Sequence, residues 1–175
     1  LVTLLAQQFP RAIGLVEDAA RTGERGGTVR TRLGRTSPDP GDDWRDSLAQ
    51  AAEAGGEQAR RAASRAREQG RFTRNFVVQG TAAEWALCWM ADLRARLDRV
   101  PAIRAAGADG PFAGRPHLVY FLHDELLVHA PAEHAERVAD AVRESAAAAG
   151  RLLFGGFPID FPRDVHVVER YADAG

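Results

Sequence analysis

Residues 117–130 read His-Leu-Val-Tyr-Phe-Leu-His-Asp-Glu-Leu-Leu-Val-His-Ala, and they restrict the possible folds more than any other stretch. Two apolar runs, Leu118 to Leu122 and Leu126 to Val128, enclose the polar triplet His123-Asp124-Glu125. Each run has strand length and is rich in Val, Leu or aromatic residues. Together they predict a β-hairpin with two adjacent carboxylates at or beside its tip. Carboxylates are hard oxygen ligands, and a rigid hairpin fixes where they point. One reading is a divalent-metal site for Mg²⁺ built on Asp124 and Glu125. The other is a solvated turn, since turns favour polar residues. By period two, His129 shares a hairpin face with Leu127 and reads as structural.

The flanking segments predict helices. Leu4, Leu5, Ile13, Val16 and Ala20 recur at helical spacing, with Pro10 breaking the run into two helices. Gly26-Gly27 ends the second. Thr28 to Leu33 alternates and predicts a short strand or half of a small hairpin. After a loop with Pro38, Pro40 and Gly41, Asp42 or Asp43 is expected to cap a helix from Trp44. That helix runs to about Gly70, with a break at Gly55-Gly56. Thr81-Ala82-Ala83-Glu84 has the form of a capping box opening a new helix, which carries Trp85, Leu87, Trp89, Met90, Leu93 and Leu97. Trp85 and Trp89 read as core of that helix, and so does Cys88. Residues 99–116 read as a loop. Ala132 to Ala149 predicts a further helix ended by Gly150. The tail has Pro158 and Pro162 at edge positions, then a last strand over Val165–Val168. The pattern is α+β, antiparallel strands with helices on one face. Two portions are expected: 1–70, helical with a small strand or hairpin near 27–35, and 71–175, the core with the hairpin.

Global composition excludes several classes. The formal charge is −1, and the lone Cys88 excludes an intramolecular disulfide framework or a zinc finger. No apolar run reaches the ~18 residues of a membrane span, and no signal peptide is visible, so the expected location is the cytoplasm. All 23 basic residues are Arg. They are unevenly spread: residues 58–74 hold Arg60, Arg61, Arg65, Arg67, Arg71 and Arg74 against one acid, Glu68. That stripe can meet phosphates or serve as a solvated helix face. Arg71, Asn75 and Gln79 are spaced by four and would share a face of a continuous helix. Val77-Val78 and Gly80 argue for a break there, leaving the three along a bend. The opening Leu-Val-Thr-Leu-Leu has neither Met nor a cap, which suggests a fragment of a longer protein.

Arg71-Phe-Thr-Arg-Asn-Phe-Val-Val-Gln-Gly-Thr-Ala-Ala-Glu84, followed by Leu122-His-Asp-Glu-Leu126, resembles the palm of A-family DNA polymerases, the bacterial DNA polymerase I type. The family pattern is R-x-x-x-N-x-x-x-Q-G-T-A-A-[DE], then a helix, then an apolar strand ending in H-D-E. Upstream, Phe9-Pro10, Gly26-Gly27-Thr28-Val29 and Thr31-Arg32-Leu33-Gly34-Arg35 resemble the family's F-P … G-[YTE]-V-x-T-x-x-G-R segment. The resemblance covers about residues 7–145. It implies template-directed nucleotidyl transfer from a dNTP to a primer 3′-hydroxyl, in replication or repair, by a monomer using two Mg²⁺ ions. Asp124 then matches the second catalytic aspartate, and Glu125 its supporting neighbour. His123 matches a residue touching the primer end. Arg71, Asn75 and Gln79 match residues along the minor groove of primer–template DNA.

Departures from the family pattern matter as much. The first catalytic aspartate's D-x-x-x-x-E-x-R motif is absent. So is the fingers helix, R-x-x-x-K-x-x-x-x-x-x-Y-G, which a chain without lysine cannot contain. Phe76-Val77-Val78 lacks the family's usual proline, implying a gentler bend. Glu169-Arg170-Tyr171 stands where G-x-x-W is common. The isolated chain is therefore expected to be incomplete for catalysis. The alternative is a non-catalytic nucleic-acid-binding remnant.

Overall fold

The computed structural model describes residues 2–103, 109–110, 112–157, 159, 161–162 and 164–173. Pro158 and part of the 99–116 loop lie outside them. The chain divides into two compact units, residues 1–84 and 85–175.

In the first unit, α1 (Val2–Gln8) and α2 (Pro10–Glu24) are separated at Phe9, with Pro10 as the first residue of α2. Its missing N–H costs nothing there, because the first helical amides lack partners anyway. The strand expected over residues 28–33 does not form; residues 30–36 instead make a small turn closed by an isolated antiparallel bridge between Arg30 and Thr36. Next comes α3 (Asp42–Ala54), which starts two residues earlier than expected. Gly41 occupies the cap position and neither Asp42 nor Asp43 caps by side chain; both sit in the first turn, where negative charge favours the helix dipole. Gly55, at φ 72°, ends α3 at the expected break.

Beyond it the structure departs from the sequence reading. Helix α4 runs unbroken over Gly56–Leu97, 42 residues, through Gly70, Val77-Val78 and Gly80. No bend forms at 71–80, and no helix starts at Thr81. The physical reason is packing. A glycine costs about 1 kcal/mol in an exposed helix, but Gly70 and Gly80 are buried where a side chain would not fit. A Cβ on Gly80 would lie 2.5 Å from Thr31 Cγ2, and one on Gly70 would lie 2.9 Å from the Ala20 carbonyl. Thr73 is wholly buried between α4 and α2, its hydroxyl donating to the Ala19 carbonyl at 2.7 Å. A small cluster of Ala19, Val29 and Val77 completes this core.

In the second unit, β1 (His117–Leu122) pairs antiparallel with β2 (Glu125–His129). Helix α5 (Ala135–Phe154) follows a 3₁₀ turn at Ala132–His134. It passes through Gly150 instead of ending there; Gly155 is the terminal glycine, at φ 59°. Gly150 is buried, and a Cβ on it would lie 3.2 Å from the Phe161 ring. The main core joins Trp89, Leu93 and Leu97 of α4 to Val138, Val142, Ala146 and Ala149 of α5. Leu118, Leu126 and Val128 pack against it from one face of the hairpin. Trp89 is core as expected, and its indole N–H donates to the Val142 carbonyl at 3.1 Å. Trp85 and Cys88 border the core, with Trp85 stacked on Phe161 at 4.6 Å between ring centres. The expected strand over Val165–Val168 does not form: the segment is irregular and Val165 alone packs on the core. A β-branched pattern needs a neighbouring strand to satisfy its amides, and among the described residues the sheet consists of β1 and β2. The architecture remains a mixture of helices and an antiparallel sheet, in keeping with an α+β class.

Candidate nucleic-acid and metal site

The hairpin turn is tighter than the sequence suggested. Leu122 pairs with Glu125, so His123 and Asp124 alone form the turn and Glu125 is the first residue of β2. His123 has φ 55°, the one positive φ at a non-glycine among the described residues. Two-residue hairpin turns match the twist of the flanking strands through such left-handed geometry, which usually selects Gly, Asn or Asp. A histidine held there carries a backbone cost that the closure of the hairpin must offset.

A bulge between Leu118 and Tyr120 leaves Val119 unpaired and sets the register beyond it. Alternation then sends Phe121, Leu126 and Val128 to one side, with Tyr120, Leu122, Glu125 and Leu127 on the other. His123, Asp124 and Glu125 are all exposed. Glu125 has a partner that sequence reasoning missed: the Tyr171 hydroxyl donates to its Oε1 at 2.9 Å. This hydrogen bond, with the neighbouring negative charge, pushes the Tyr171 phenol above its ordinary pKa. Nothing local signals the contact, because the two residues lie 46 positions apart. At the other end of the strands, His117 and His129 meet edge to face at 5.3 Å, and Phe112 stacks on His117 at 4.7 Å. His129 thus has an aromatic, structural setting.

Among the described residues, no group of three His, Cys, Asp or Glu side chains converges as a cation cage. Asp124 and Glu125 offer two adjacent hard-oxygen donors, one of them oriented by Tyr171. Mg²⁺ keeps several waters and is commonly held by one or two carboxylates together with substrate phosphates. The pair fits that partial role and does not amount to a complete site.

In the first unit, Arg71, Asn75 and Gln79 all lie on α4 and all are exposed. Because the helix is continuous they share one face, the arrangement the expected bend would have spoiled. Arg71 makes a long ion pair with Glu68, 3.8 Å, which at this exposure contributes little. The buried side of the same segment explains the Gln-Gly-Thr-Ala-Ala-Glu run differently from a capping box. Thr81 donates to the Val77 carbonyl at 2.7 Å and accepts from the Arg32 amide at 3.1 Å. Glu84 accepts from the Thr31 hydroxyl and from the Leu33 amide, the latter at 2.9 Å. Arg35 reaches the Gly80 carbonyl at 3.2 Å and lies over the Phe76 ring. Thr81 and Glu84 therefore satisfy the amides of the Thr31–Arg35 turn, not those of a helix start. The turn is pinned to the face of α4 opposite the exposed amides.

Three curated relatives are similar to the chain, each a thermostable DNA polymerase I. Those of Thermus aquaticus and Thermus thermophilus are 29% identical over 162 residues, and that of Thermus filiformis is 28% identical over 163. Each alignment covers 92% of this chain and 15% of the relative, so the chain spans about 15% of the length of the curated relatives it matches. No family model matches the chain, and no solved structure does. The similarity relates this region to DNA polymerase I.

Proposed function

We propose that the chain is the palm portion of an A-family DNA polymerase, and that the full-length protein carries out DNA-directed nucleotidyl transfer. The observation that carries this reading is the pair of motifs, Arg71–Glu84 and Leu122–Leu126, in order within a chain similar to DNA polymerase I over 92% of its length. The geometry supports it on two counts. Asp124 stands in a two-residue turn with its carboxylate exposed, and Arg71, Asn75 and Gln79 form one exposed face of a continuous helix.

In this reading Asp124 holds Mg²⁺, with Glu125 beside it. When bound, the metal supplies charge neutralisation at the phosphoryl oxygens. Tyr171 keeps the Glu125 side chain in one orientation through its hydrogen bond. His123 lies next to Asp124 at the turn and contacts the primer end. Asn75, Gln79 and Arg71 donate to purine N3 and pyrimidine O2 in the minor groove. Those acceptors are nearly the same for every Watson–Crick pair, so the donors test pair geometry without reading sequence. A polymerase needs that property. The dNTP site and further metal ligands are assigned to other parts of the full-length protein, and the 175-residue chain alone does not polymerise.

A second reading is a nucleic-acid-binding remnant with idle carboxylates, in which the exposed α4 face of Arg71, Asn75 and Gln79 still grips duplex. The test is primer extension by the full-length protein. Asp124→Ala should lower incorporation by at least about a hundredfold, the scale on which loss of an electrostatic stabiliser acts, while duplex affinity stays nearly unchanged. Gln79→Ala should chiefly weaken extension from the primer end. A full-length protein that binds duplex but incorporates no nucleotide would favour the remnant.

A further inference from the structure

The continuity of α4 has a consequence for its arginines. At about 100° per residue, Arg60, Arg67, Arg71 and Arg74 fall within about 60° of one another around the helix axis. Asn75 borders that sector, and Gln79 lies one step further round. All six side chains are exposed, whereas Ala62, Gly70, Thr73, Val77 and Gly80 of the same helix are buried on the other side. Among the described residues, Arg60, Arg67 and Arg74 have no carboxylate within ion-pair distance; Arg61 is taken by Glu57 at 2.6 Å. From Arg60 to Arg74 the ridge is about 21 Å long at 1.5 Å per residue.

We infer that Arg60, Arg67 and Arg74 form a phosphate-binding ridge that extends duplex contact about four helical turns beyond the amide-bearing residues. The inference rests on the reading of Asn75 and Gln79 as minor-groove contacts. A helix that presents donors to a narrow groove must set the adjacent strip of its surface against the sugar–phosphate wall. On B-DNA about 21 Å of axis carries about twelve phosphates, so acceptors are available along the whole ridge. Uncompensated guanidinium groups suit them in geometry and charge. An anionic membrane is the competing partner for a basic helix. Such binding requires the apolar face opposite the charges to insert into lipid. Over residues 70–80 that face is occupied by α2 and the Thr31–Arg35 turn. Nucleic acid is the partner that leaves the packing intact.

The test is fluorescence anisotropy of labelled duplex DNA with the full-length protein across a salt series. The triple variant Arg60→Ala, Arg67→Ala, Arg74→Ala should keep its helix, since Ala is the better helix former. It should reduce the slope of log affinity against log salt by about 2.7 and lower affinity at moderate salt by about tenfold or more. The corresponding triple Lys variant should retain most of both. An unchanged slope, with Gln79→Ala still impairing extension, would overturn the ridge and leave the proposed function standing. An unchanged slope with no effect of Gln79→Ala would remove both. Loss of binding to anionic vesicles without loss on duplex would overturn the ridge in favour of a membrane partner.

Discussion

Helix α4 is packed in two chemically different ways along its length. Over residues 85–97 it contributes Trp89, Leu93 and Leu97 to a conventional apolar core with α5. Over residues 56–84 its buried side is small and polar: Ala62, Gly70, Thr73, Gly80 and Glu84, with Val77 the one larger aliphatic residue fully inside. The first arrangement draws on buried area. The second draws on close backbone approach and on hydrogen bonds made inside it, such as Thr73 to Ala19 and Glu84 to the Thr31–Arg35 turn. Area tolerates modest repacking, whereas close approach and satisfied buried polar groups do not. The part of α4 bearing Asn75 and Gln79 is thus held by close backbone approach and buried hydrogen bonds.

The comparison can be broken at either end. Leu93 is wholly buried, and Leu93→Ala should destabilise the second unit by about 3–4 kcal/mol. Residue-resolved hydrogen exchange should register this first in α5 and β2. A loss under about 1 kcal/mol would mean that area is not what holds this unit. In the first unit the equivalent probe is Gly23→Ala. Ala is favoured over Gly in a helix by about 1 kcal/mol, but a Cβ here would lie 2.7 Å from the Gln69 backbone carbonyl, which cannot swing aside. The net effect should be a loss of about 1–3 kcal/mol, seen as a lowered midpoint in urea denaturation. A stabilised variant would end the close-approach account.

The smallest effect is electrostatic and local to the start of α3. The Gly41 amide, donating to Asp39 at 2.8 Å, holds that carboxyl below the usual aspartate range, and Arg45 at 2.6 Å adds to it. A carboxyl whose folded pKa is depressed stabilises the fold above its unfolded value, about 3.9. That contribution fades as pH falls through the lower folded value. An NMR titration of Asp39 should place its midpoint below that of an exposed aspartate, and Arg45→Ala should move it only part of the way back. A complete return in Arg45→Ala would mean that the ion pair, not the Gly41 amide, is the main cause.

Much of the hairpin was legible because its signal is local. Two β-rich runs around a short polar segment leave few alternatives, and Leu126 and Val128 point where period two requires, whereas the bulge at Val119 breaks that period in β1. The first two helices were equally readable from Pro10, and the end of α3 from Gly55. Reading failed wherever a residue's partner is distant in sequence. Thr81 and Glu84 match a capping box, yet their partners are Arg32, Thr31 and Leu33, some fifty residues away. Val165–Val168 has strand composition but no strand to pair with. Tyr171 gave no sign that it would meet Glu125.

From the sequence alone, then, came the hairpin with Asp124 in its turn, the α+β pattern and the order of the motifs. All of these depend on side-chain alternation, turn chemistry and residue identity over short windows. The tertiary structure decided whether residues 56–97 are one helix or two. Local propensity counts Gly70, Gly80 and the Val77-Val78 pair against a helix. Packing reverses the sum, because the glycines admit α2 and the Thr31–Arg35 turn at distances that a side chain would forbid. That reversal also decided that Arg71, Asn75 and Gln79 share a face.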